Sequence, residues 1–73
     1  MEKTRRLIIN RERIGFFKAI LESYEEIALI TVIDGRTGEI ELTYPDSAES
    51  DLAAIMKDME RFDVKFSEVV DVR

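Results

Sequence analysis

The chain has no cysteine, no histidine and no tryptophan, and holds one proline and three glycines in 73 residues. Without cysteine there is no disulfide framework, no thiolate metal site and no thiol nucleophile. Without histidine the commonest general base and the commonest metal ligand are both missing. No apolar run approaches the ~20 residues of a membrane span. The opening Met1–Asn10 segment has basic residues followed by only three apolar ones, which is too short for a signal-peptide core. The expectation is a cytoplasmic protein that contacts neither membrane nor nucleic acid. The net charge of -5 supports the last point, since phosphate binding needs clustered lysine and arginine.

What is present is a globular balance, 45% hydrophobic and 37% charged. The length allows one small domain, spanning 1–73. A domain of this size buries only roughly 60% of the surface its unfolded chain exposes, so self-association is an obvious further source of stability.

The pattern along the chain reads as six elements. Arg5–Ile9 is a short β-branched strand, and Asn10 offers a helix N-cap. Ile14, Phe17, Leu21 and Tyr24 recur at spacings of three and four, widened by Phe16 and Ile20, which predicts an amphipathic helix. Gly15 near its start is unfavourable in a helix interior and calls for close packing or close backbone approach. Ile27–Ile33 is apolar at nearly every position, as expected of a strand covered on both faces. Asp34–Gly38 predicts a tight hairpin with a bulge at Gly38. Glu39–Tyr44 alternates strictly, with Ile40, Leu42 and Tyr44 on one face. After Pro45, Asp46 with Glu49 resembles a capping box, with Ser47 as the other candidate cap. Leu52, Ile55, Met56, Met59 and Phe62 form a second helical stripe, and Asp63 breaks it. Val64–Val72 is the last strand, with Val64, Phe66, Val70 and Val72 in phase and Glu68 out of character.

The order β-α-β-β-α-β with right-handed connections predicts an α+β, ferredoxin-like sandwich. Its four antiparallel strands run in the order 4-1-3-2, with two helices on one face. The other face is bare. Glu39, Glu41 and Thr43 make it polar on the third strand, but the second strand is apolar on both sides and Ile8 lies opposite Leu7 and Ile9. Such exposed apolar surface marks an interface. The expectation is a homodimer, formed through Ile8, Ile27, Leu29 and Thr31, with second strands edge to edge or open faces together.

Charge is segregated. Residues 1–20 carry six basic and two acidic side chains, and the remainder carries five basic and fourteen acidic ones. Arg5, Arg6, Arg11 and Arg13 could form a basic patch for an anion. Internal neutralisation is the favoured reading, with Arg6 opposite Glu39 or Glu41. No catalytic residues are assigned, because Ser23, Ser47, Ser50 and Ser67 have no histidine to activate them. Glu22, Glu25 and Glu26 lack the spacing of a calcium loop and read as a solvated turn, as do Asp58, Glu60 and Asp63. Met56 and Met59 read as core. No metal, no cofactor and no enzyme activity are expected.

The order of elements, together with Glu12–Leu21 and Arg61–Val70, resembles the ACT-type small-molecule-binding domains. More narrowly, Ile20–Leu29 and the Asp34–Gly38 turn are similar to a family of short bacterial proteins of unknown function with an ACT-like fold. The resemblance implies a regulatory module that binds an amino acid or a small anion between paired domains. Gly15 matches the family's glycine at the start of the first helix, where a ligand approaches backbone N–H groups. It implies a site made of Glu12, Arg13 and Gly15. The family's Asp and Pro before that glycine are absent here. A protein-interaction subunit with no small-molecule ligand is the alternative.

Overall fold

In the computed structural model, residues 1–24 and 27–69 are described. Strand β1 (Glu2–Ile9) leads through a 3-10 turn (Arg11–Arg13) into helix α1 (Ile14–Ser23). Strands β2 (Leu29–Asp34) and β3 (Glu39–Pro45) form a hairpin. A second 3-10 turn (Asp46–Ala48) opens helix α2 (Glu49–Met59), and a third (Glu60–Phe62) leads to strand β4 (Phe66–Glu68). The sheet runs β2-β3-β1-β4 and every pairing is antiparallel. This is the expected order read from the other edge.

Alternation fixes the two faces. Leu7 and Ile9 on β1 and Ile40, Leu42 and Tyr44 on β3 are buried against Phe17 and Leu21 of α1 and Leu52, Ile55 and Met59 of α2. Their period of two on the strands and three to four on the helices gives one core between sheet and helices. Phe17 meets Phe66 edge-on at 5.0 Å between ring centres, tying α1 to the β4 side of that core.

Several boundaries differ from expectation, each for a local reason. β1 starts at Glu2, three residues before the expected start at Arg5, because β3 continues to Pro45 and offers Glu2, Lys3 and Thr4 partners. Asn10 is not a helix cap. Its amide donates to the Asp63 carbonyl at 2.7 Å, and its side-chain oxygen accepts from the Lys65 N–H at 2.9 Å. It therefore joins the end of β1 to the entry of β4, where Asp63 takes the left-handed conformation (φ 63°) that stops the preceding turn. Helix α1 ends at Ser23, whose hydroxyl donates to the Ile20 carbonyl at 2.6 Å. Tyr24 consequently lies outside the helix and is exposed. Asp46 and Glu49 do not form a capping box, since both face Lys3, with Lys3 Nζ 2.9 Å from Glu49 and 3.6 Å from Asp46.

The hairpin closes as Asp34 accepts the Gly38 N–H at 2.9 Å, with Gly38 at φ +85°. The register slip lies on β2 between Val32 and Asp34 rather than at Gly38, so Ile33 is the extra residue. Gly38 instead presses its Cα against β1, where its carbonyl accepts the Ile9 N–H at 2.9 Å. Gly15 does not serve close packing, because a Cβ there would meet nothing within 4 Å. β4 is described for three residues, and Val70 and Val72 of the expected strand lie outside the described residues, as do Glu25 and Glu26. Glu68, out of phase by hydropathy, pairs with the half-buried Arg5.

Candidate functional site

Among the described residues, four places have the chemistry or shape to bind something. The first is the turn into α1. Glu12, Arg13 and Gly15 fall together there, on the 3-10 turn and the first turn of the helix. Among the described residues no side chain caps α1; the Ile14 N–H bonds the Arg11 carbonyl, and the N–H groups after it carry the helix's partial positive charge. Arg13 is half-buried beside them, and Gly15 is exposed. The Glu12 carboxyl is held below its ordinary value, first by its own backbone N–H and then by the Asn10 amide, 3.3 Å away. It is therefore a fixed negative charge at neutral pH.

The second place is β2, at the edge of the sheet. Its partner β3 occupies one side only. Leu29 is 72% exposed, and Val32 and Ile33 are each 42% exposed. The expectation of a strand covered on both faces is thus corrected. The register puts Leu29 and Thr31 on the open face, opposite Thr43 and Glu41, and Val32 on the helix side, opposite Ile40. Ile8 also lies on the open face, 40% exposed, whereas Ile27 precedes β2 and packs on the core. Ile8, Leu29 and Thr31 are therefore on one face, but they do not form one patch. Arg6 stands between them, bonded to Glu41 at 3.1 Å and facing Glu39 at 3.5 Å. That cluster bears out internal neutralisation. With Arg5 held by Glu68, two of the four arginines of the proposed basic patch are already paired.

The third place is a cleft of about 520 Å³ at the C-terminal end of α1. Leu21, Tyr24 and Ala28 wall it on the helix side, and Leu29, Tyr44 and Pro45 on the sheet side. Periodicity assigned Leu21, Tyr24 and Tyr44 to the core, and only the early end of α1 turns that surface into a cleft. The fourth, a second depression of about 410 Å³, lies between α2 and β4, with Arg5, Lys57, Glu60 and Glu68 among its lining. Neither is lined by Glu12, Arg13 or Gly15.

Among the described residues, no group of three or more acidic side chains is arranged to hold a metal ion. No helix among them is long and apolar enough to cross a membrane.

A four-stranded antiparallel sheet with two helices on one face defines the class as a small α+β domain of open-sheet design. The family model "Domain of unknown function (DUF4911)" matches residues 7–62, most of the chain, from the middle of β1 to the end of the turn after α2. The chain belongs to that family. No curated protein matches it, and no solved structure does.

Proposed function

We propose that the chain is an ACT-like, ferredoxin-like regulatory module that acts in the cytoplasm as a homodimer and binds an amino acid or a small anion. The observation that carries this reading is β2. An edge strand with free backbone groups is a template for pairing, and proteins that stay monomeric blunt such edges with lysine, proline or a short strand. Among the described residues β4, the other edge, spans only Phe66–Glu68 and is preceded by Lys65. β2 has six residues, no lysine and no proline, and three large apolar side chains exposed. Two copies joined antiparallel through β2 would make one continuous eight-stranded sheet. Packing of open faces is the poorer arrangement, because it would bury the Arg6–Glu39–Glu41 cluster, and desolvating such charges offsets their attraction.

The turn into α1 supports the ligand half of the reading. The uncapped helix N-terminus and Arg13 suit a carboxylate, and the ionised Glu12 suits an ammonium group, so the set fits a zwitterion. The bare surface over Gly15 leaves room for backbone approach.

The test is a thermal melt with amino acids and small carboxylates at millimolar concentration. A ligand at a hundredfold excess over Kd adds about 2.7 kcal/mol, which moves the midpoint of so small a domain by roughly ten degrees or more. The shift should vanish in Arg13→Ala. No shift with any ligand, beside a stable dimer, would favour the second reading, an assembly subunit without a small-molecule ligand. The exposed β2 edge supports that reading equally, since it needs no ligand to act.

A further inference from the structure

The cleft at the C-terminal end of α1 is separate from the turn into that helix, about ten residues along the chain, and it belongs to a single copy. Its volume of about 520 Å³ lies within the roughly 300–1,000 Å³ of small-molecule sites. Its floor is apolar and firm, because Leu21 and Tyr44 are fully buried parts of the core. Its mouth is apolar and exposed, with Tyr24 and Leu29 among the most exposed large hydrophobic side chains. Nothing in the single-copy fold needs either side chain to stand in water.

The electrostatics of this cleft have one sign. Its ionisable lining residues other than the two tyrosines are Glu2 and Glu22, and neither makes an ion pair among the described residues. Among the described residues, its lining has no lysine or arginine. The nearest base along β1, Lys3, is engaged by Asp46 and Glu49. The final carbonyls of α1 lie at the same end and carry the negative end of the helix dipole. Tyr24, exposed at the mouth, adds an aromatic side chain of the kind that attracts a cation. Apolar walls under a uniformly negative rim match one ligand chemistry.

We infer that this cleft binds a small organic cation, an amine carried on an aromatic or branched apolar group. The ring or chain fills the space between Leu21, Tyr44 and Leu29, and the ammonium group stays at the rim near Glu22. The site works in one copy of the chain and does not depend on the zwitterion site or on self-association.

The experiment is amide chemical-shift mapping with three isosteric probes: phenethylamine, 2-phenylethanol and 3-phenylpropionate. The expected result is shifts at Leu21, Tyr24, Leu29 and Thr43 with the amine at low-millimolar concentration. The alcohol should bind more weakly by roughly threefold, as for loss of one exposed charge interaction, and the carboxylate weaker still. In Glu22→Gln the amine and the alcohol should bind alike, while alcohol binding is unchanged. Glu22 is exposed in the last turn of α1, so this variant keeps the fold. Leu29→Ser should weaken all three probes. Equal or tighter binding of the carboxylate would overturn the inference, as would shifts that map to Gly15 and Arg13 instead. Absence of any shift up to the solubility of the amine would overturn it too. A monomeric mass, or a failure of the zwitterion melt, would leave these outcomes unchanged.

Discussion

Replacing Gly38 by alanine should be among the most damaging single changes in the molecule. The residue sits at φ +85°, where a non-glycine residue costs roughly 1–2 kcal/mol. A Cβ there would also be driven into the carbonyl oxygen of Ile9. That atom is backbone on a fully buried residue and has no rotamer to escape through. Relief requires β1 and the hairpin to part, which breaks the 2.9 Å bond from the Ile9 N–H to the Gly38 carbonyl. A buried donor left without a partner costs about 1–3 kcal/mol. Together the two effects give about 3 kcal/mol, from a total of roughly 4–10 kcal/mol for a chain of this length. In urea, with a slope near 1 kcal/mol per molar, the midpoint should fall by about 3 M. Gly38→Asn separates the two causes. Asparagine tolerates the left-handed conformation but carries the same Cβ, so it should be nearly as damaging as alanine. A loss below about 1 kcal/mol in either variant would refute the close approach.

Other sites make their own predictions. Gly15→Ala should leave the fold intact and raise stability by up to about 1 kcal/mol, since its Cβ meets nothing; on the proposed function it should also weaken the ligand-induced melt shift. Asn10→Ala should cost about 1–2 kcal/mol in urea denaturation, because it deletes both bonds that hold Asp63 and Lys65. A double-mutant cycle on Arg6 and Glu41 should give less than about 1 kcal/mol, as for an exposed pair. Stability should fall in acid. The hydrogen bond from Lys3 holds the Glu49 carboxyl below its ordinary 4.5, and its own backbone N–H does so for Glu12. Their stabilisation is complete above 4.5 and is lost as pH falls through the lowered values. Glu49→Gln should flatten part of the urea-midpoint loss below pH 4.5. The Lys3 ammonium, raised above 10.5 chiefly by the same hydrogen bond to Glu49, gives the opposite limb, with stability lost only as strongly alkaline pH passes its raised value.

Much of the fold was readable wherever one physical cause dominated. The alternation of Ile40, Leu42 and Tyr44 could place only one face inward, and the spacing of Leu52, Ile55 and Met59 only one helical stripe. Residues with two physical uses were harder. Asn10 and Asp46 have side chains suited to caps, yet both are taken by distant partners that local sequence does not reveal. An apolar run such as Leu29–Ile33 fits either a strand buried on both faces or an edge awaiting a partner, and the topology decides for the edge. Glu68 looked misplaced only because its partner, Arg5, is 63 residues away. Glu12, Arg13 and Gly15 do fall together, as adjacent positions at a helix start must. The cleft was invisible, because it exists only where α1 stops short at Ser23 and leaves Tyr24 outside the core.

The central claim is that β2 is a pairing edge, and amide hydrogen exchange along Leu29–Asp34 tests it most directly. In a strand paired only with β3, alternate amides point at β3 and are protected, while the others face water and exchange fast. Two copies joined through β2 would protect both sets, and protection of the outer set would fall on dilution. Light scattering on the same samples should give twice the 8.5 kDa chain mass at tens of micromolar, and Val32→Lys should return both readings to those of one copy. Alternating protection that is independent of concentration, with a mass of 8.5 kDa, would contradict the account.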